Sequence, residues 1–108
     1  MQKYHNIDGS NGVDVELLAP GSGSSGINSI AVVNTHAANS ATVSIFIQTS
    51  PSSAASNTFY VIKGVSVPAG TTLLLDNNSL LSFNNRTSTG YGLYTTVGSS
   101  DTVDILIS

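Results

Sequence analysis

Thr42-Val43-Ser44-Ile45-Phe46-Ile47 carries branched aliphatic side chains at every second position. A period of two sends Val43, Ile45 and Ile47 to one face of an extended chain and their neighbours to the other, the signature of a strand buried on one side. Thr102-Val103-Asp104-Ile105-Leu106-Ile107 repeats the pattern, with Val103, Ile105 and Ile107 inward. Val13-Asp14-Val15-Glu16-Leu17 repeats it again, with both acids on the solvent side.

Between these anchors, Ile27 to Val33, Phe59 to Val67, Thr71 to Leu75 and Tyr91 to Val97 read as further strands, each bounded by turn chemistry. Gly64 interrupts one of them and predicts a bulge. Pro68-Ala69-Gly70 predicts a turn, proline presetting φ and glycine accepting the positive φ that side chains avoid. The polar segment Asn34 to Ser40 is expected to close a hairpin between Ile27–Val33 and Thr42–Ile47, and Gly98 to Asp101 to join the last two strands as a pair. No helical period is present. The fold class is therefore all-β: a single antiparallel β-sandwich, jelly-roll-like, of about seven strands. Val43, Ile45, Ile47, Leu73, Leu75, Val103, Ile105 and Ile107 are its expected core.

Pro20-Gly21-Ser22-Gly23-Ser24-Ser25-Gly26 reads as a flexible linker. It divides the chain into an N-terminal arm with one strand, residues 1–26, and a sandwich domain, residues 27–108. Val13, Val15 and Leu17 need an apolar surface to cover them. A tethered strand can find one on a neighbour's exposed sheet edge, so these three are candidate partner-binding residues. The other expectation is that the arm forms the first strand of its own sandwich.

The 108 residues suit one domain with one core. Only 8% are charged, against 40% hydrophobic. Polarity comes instead from 18 serines, 11 threonines, 10 asparagines and 10 glycines. The net charge of −3 and the three scattered cations, Lys3, Lys63 and Arg86, argue against nucleic acid as a partner, because phosphate binding needs clustered Lys and Arg. No apolar run is long enough for a membrane-spanning helix, and residues 1–6 lack the apolar core of a signal peptide. The absence of cysteine removes disulfides and thiol chemistry and fits assembly in a reducing cytoplasm.

No residue pattern points to catalysis, metal or cofactor. His5, His36 and Asp8 lack the local ligand spacing of a metal site. Asp14 with Glu16 reads as a solvated strand face rather than a carboxylate pair. Calcium held by Asp76, Asp101 or Asp104 would need only loop oxygens, but Asp101 is also a natural turn former. Gly21 to Gly26 has neither the lysine nor the following helix of a phosphate loop. No Gly-x-Ser-x-Gly elbow accompanies the many serines. Among the aromatics, Phe46 and Phe59 are expected to fill core and the tyrosines to lie at its edge. Exposed tyrosines can also stack on sugars, and Tyr91-Gly92-Leu93-Tyr94 makes Tyr91 and Tyr94 the candidates for that contact.

From Ile27 onward, three blocks carry a resemblance. They are Ile27-Asn28-Ser29-Ile30-Ala31-Val32-Val33-Asn34-Thr35 with Ala41 to Ile45, then Tyr60 to Leu73, and the ending Ser100 to Ser108. In their order and spacing the chain resembles small virion structural proteins of tailed bacteriophages, marine ones especially. Such proteins are β-sandwiches of heads, necks, tails or fibres. The resemblance implies a non-enzymatic capsid decoration or cement protein on the capsid surface, assembled in the host cytoplasm. Its partners would be other virion proteins, the major capsid protein first, and its own copies in a homotrimer. A tail, neck or fibre module touching host glycan is the alternative. Ser82-Phe83-Asn84-Asn85-Arg86-Thr87 departs from the charged stretch that such proteins often carry there.

Overall fold

A computed structural model describes residues 3–8, 15–21, 27–48, 58–77, 81, 83, 85, 90–98 and 101–108. These contain eight strands: β1 (Lys3–Asp8), β2 (Val15–Leu18), β3 (Ile30–Asn34), β4 (Ala41–Gln48), β5 (Thr58–Val67), β6 (Thr72–Leu75), β7 (Gly92–Val97) and β8 (Thr102–Ile107). They form two four-stranded sheets, ordered β1-β8-β3-β6 and β2-β7-β4-β5, with every pairing antiparallel. Each sheet buries one face against the other, and consecutive strands change sheet at every step except β4 to β5. Two four-stranded sheets with this order make the jelly roll. The strand count is eight rather than seven.

Val43, Ile45, Val103, Ile105 and Ile107 are buried in the core with Ile7, Leu17, Leu18, Ile30 and Val32. Ile47, Leu73 and Leu75 pack against it half-buried. The latter two lie on β6, an edge strand that no further strand covers. The described part of residues 1–26 supplies two strands where one was expected. β1 pairs with β8 from Lys3↔Ile107 to Asp8↔Thr102, and β2 pairs with β7. These strands belong to different sheets of one sandwich, so the described part of the arm is built into the domain. Ile7, Leu17 and Leu18 need its core, and antiparallel neighbours satisfy their backbone.

Neither expected hairpin forms. β3 and β4 lie in opposite sheets, as do β7 and β8. Side-chain bonds show why the chain crosses. Asn34, fully buried, donates from Nδ2 to the carbonyls of Asn39 (2.8 Å) and Val67 (2.9 Å), and its Oδ1 accepts from His36 N (2.9 Å). One amide thus ties the β3–β4 connection to the end of β5 in the other sheet. At the neighbouring β7–β8 connection, Asp101 Oδ2 accepts from Thr42 N (3.0 Å), and Gly98 N donates to Thr42 O (2.9 Å), holding that turn on β4. Two glycines behave as their sequence positions predict. Gly64 (φ 63°) sits at a bulge of β5, its N–H donating to Ser44 Oγ, and Gly70 (φ 68°) is the third residue of the turn closed by Thr71 N to Pro68 O.

Candidate functional site

The register of the β2-β7-β4-β5 sheet sets Glu16, Tyr94, Phe46 and Tyr60 side by side across its outer face. Cross-strand neighbours on one face are close enough for rings to touch. Phe46 lies 5.2 Å from Tyr60 and 6.1 Å from Tyr94, centroid to centroid. Phe46 is therefore buried, as expected, but beneath an aromatic layer on the outside of the sheet rather than in the core between the sheets. Tyr94 is only 1% exposed and offers no free ring face. Phe59, expected in the core, is 57% exposed because β5 is an edge strand, and it contacts half-buried Tyr91 at 5.9 Å. Tyr60 is 48% exposed, with Lys63 Nζ 5.1 Å from its ring centroid, within cation–π range.

The exposed aromatic rings of this sheet, among the described residues, are thus Phe59 and Tyr60, on opposite faces of the β5 edge strand, with Tyr91 beside Phe59. Of the two tyrosines the sequence proposed, Tyr91 lies beside Phe59 and Tyr94 is buried. The usable signal was Phe59-Tyr60 itself, since adjacent strand residues point to opposite faces and both rings cannot enter one core. Of the other proposed partner-binding residues, Leu17 is buried and Val15 half-buried against the core, while Val13 lies outside the described residues.

On the other sheet, outward residues again fall in rows. Tyr4, Leu106, Ala31 and Leu74 are in register across all four strands, and Asn6, Asp104, Val33 and Thr72 form the next row. Between the rows, on β1 and β8, lies a groove of about 150 Å³ lined by Tyr4, His5, Asn6, Asp104, Ile105 and Leu106. Asn6 Nδ2 donates to Asp104 Oδ1 at 2.6 Å, and the Tyr4 ring is 67% exposed. His5 makes a different contact: its Nε2 lies 3.1 Å from Leu17 O and joins β1 of one sheet to β2 of the other.

Two of the remaining polar candidates have structural partners. Asp101 serves the turn and Asp104 faces Asn6. Asp76 follows the end of β6, and Asp14 is outside the described residues. Among the described residues, no three His, Asp or Glu side chains come together as a metal cluster would require, and no helix is long and apolar enough to cross a membrane.

No protein-family model matches the sequence, and no curated protein matches it. Among solved structures, the chain is similar to chains of infectious bursal disease virus, Gx strain (15% identity, TM-score 0.48) and Gt strain (13% identity, TM-score 0.49). In both cases 99% of this chain is covered, and it spans 31% and 29% of the respective viral chains. The fold assignment rests on the strand order, in which each sheet interleaves strands from both ends and the middle of the sequence.

Proposed function

We propose that this chain is a non-enzymatic structural protein of a bacteriophage virion, a capsid decoration or cement protein that contacts the major capsid protein and assembles as a homotrimer. The observation that carries this reading is the jelly-roll strand order, an architecture that recurs in viral capsid and lectin domains. The resemblance of the region from Ile27 to Ser108 to phage virion proteins narrows the choice between those uses. The contact surface is assigned to the β5 edge, where Phe59 and Tyr60 stand exposed. Aromatic side chains are enriched in interface cores because they bury much area for little entropy.

The alternative is a tail, neck or fibre module, favoured by the same exposed rings if they stack on glycan. Stoichiometry separates the two. Quantified band intensities from purified virions are expected to show capsid-scale copy number, and only a few copies per particle would favour the tail reading. A Phe59→Ser/Tyr60→Ser variant is expected to fold but to be missing from the particle. Normal incorporation of that variant would remove the β5 edge from the contact.

A further inference from the structure

We propose that the groove between the Tyr4/Leu106 and Asn6/Asp104 rows of β1 and β8 is a binding subsite for one neutral hexopyranose ring. The inference goes beyond the virion role, since it concerns the opposite sheet from Phe59 and Tyr60 and needs no partner chain.

The dimensions suit such a ligand. Residues two apart on a strand are separated by about 7 Å, so the rows leave room for one edge of a sugar ring to enter between them. The groove volume, about 150 Å³, is that of a cavity that holds one benzene-sized ring, so the groove seats one face of a single sugar and leaves its outer hydroxyls in solvent. Its walls differ in chemistry. Tyr4 and Leu106, paired in register, offer an aromatic and an aliphatic surface to the C–H face of a sugar. Asn6 and Asp104 offer hydrogen bonds to its hydroxyls on the other side. Asp104 commits Oδ1 to Asn6 at 2.6 Å, which orients the carboxylate and leaves Oδ2 to accept from sugar hydroxyls. Asn6 commits one of its two amide hydrogens to that bond and keeps the other to donate. A carboxylate already held in place loses little freedom when a ligand arrives.

The groove also selects by charge. Asp104 lies within it and Asp8 projects from the same face of β1, two residues beyond Asn6. Two carboxylates repel an acidic sugar, so the ligand is a neutral hexose rather than a uronic or sialic acid. Because β1 is the edge of its sheet among the described residues, further sugar units can leave the groove without meeting another described strand. A terminal glycan residue and a free monosaccharide share this chemistry.

The test is a titration of the isotope-labelled full chain with the methyl glycosides of glucose, mannose and galactose, and with methyl glucuronide, followed by amide chemical shifts. At least one neutral glycoside is expected to saturate shifts at residues 4–6 and 104–106, with Kd on the order of 1 mM. Tyr4→Ala and Asp104→Ala should each weaken binding by about tenfold, Tyr4→Phe should retain it, and Phe59→Ala should leave it unchanged. Tighter binding of a neutral oligosaccharide than of its terminal methyl glycoside would assign the ligand to a glycan chain; equal binding would assign it to the single ring. The proposal is overturned if no neutral glycoside moves those amides, if Tyr4→Ala binds as the parent does, or if the glucuronide binds equally well. Incorporation of Tyr4→Ala into virions separates this site from the capsid contact: it should be normal, and its loss would put the groove against the particle and overturn the sugar assignment.

Discussion

Deleting residues 1–26 removes β1 and β2, and with them Ile7, Leu17 and Leu18, which are 4%, 3% and 2% exposed. Truncating one buried Leu or Ile to Ala costs about 2–5 kcal/mol, transfer and cavity terms together. Three such losses come to about 6 kcal/mol at the low end, comparable with the whole stability of a small domain, about 5–15 kcal/mol. The deletion also bares the ladder edges of β8 and β7, two strands that carry Ile105, Ile107 and Leu93 in the core. A chain beginning at residue 27 is therefore expected to show no cooperative transition in urea when followed by far-ultraviolet circular dichroism. Full-length Leu18→Ala supplies the graded control: it should remain all-β and lose about 2–5 kcal/mol. A truncated chain that unfolds cooperatively from an all-β state, together with a near-neutral Leu18→Ala, would refute this reasoning. It would return the first 26 residues to the role of a detachable arm.

Asn34→Ala removes three hydrogen bonds at a fully buried site and should cost about 3 kcal/mol, a drop in Tm of about 12–24 °C by thermal melt. Asn34→Asp should be worse at neutral pH, because its carboxylate would face the carbonyls of Asn39 and Val67. Burial raises the folded pKa of such an acid, so stability should fall as pH rises above about 3.9, and an Asp variant equal to Ala at pH 7 would contradict this. Gly92→Ala places a Cβ 2.7 Å from Leu18 O and 2.8 Å from Pro20 Cδ, and should cost about 1–3 kcal/mol by urea titration. Ile45→Asp, which buries an unpaired carboxyl, should abolish folding as judged by circular dichroism, whereas Ser44→Ala should cost only about 1 kcal/mol through loss of the Gly64 N–H acceptor.

Much of this architecture is written in local patterns. The alternation through Val43, Ile45 and Val103, Ile105, Ile107 names both the strands and their inward faces, since only one side of a pleated strand meets the core. Gly64 and Gly70 mark a bulge and a turn because their positive φ is a local backbone property. β1 escapes the same reading: Lys3-Tyr4-His5-Asn6-Ile7-Asp8 holds one aliphatic residue and forms a strand through its pairing with β8. The groove at Tyr4, Asn6 and Asp104 was illegible for that reason, as its walls come from opposite ends of the chain.

Period two states that a face is buried but not which sheet buries it, and a turn states that the chain reverses but not into which layer. Residues 34–41 and 97–102 could each have closed a hairpin. Asn34 reaching Val67, and Asp101 reaching Thr42, carry the chain to the other sheet through bonds between residues 33 and 59 positions apart. Phe46 and Tyr94 likewise lie on the outer face yet are buried, because register places aromatic neighbours beside them. Composition and alternation determined that this protein is a β-sandwich. Strand order, the aromatic layer and the groove were decided by long-range pairing, whose energy depends on side chains that meet only when both sheets are in place.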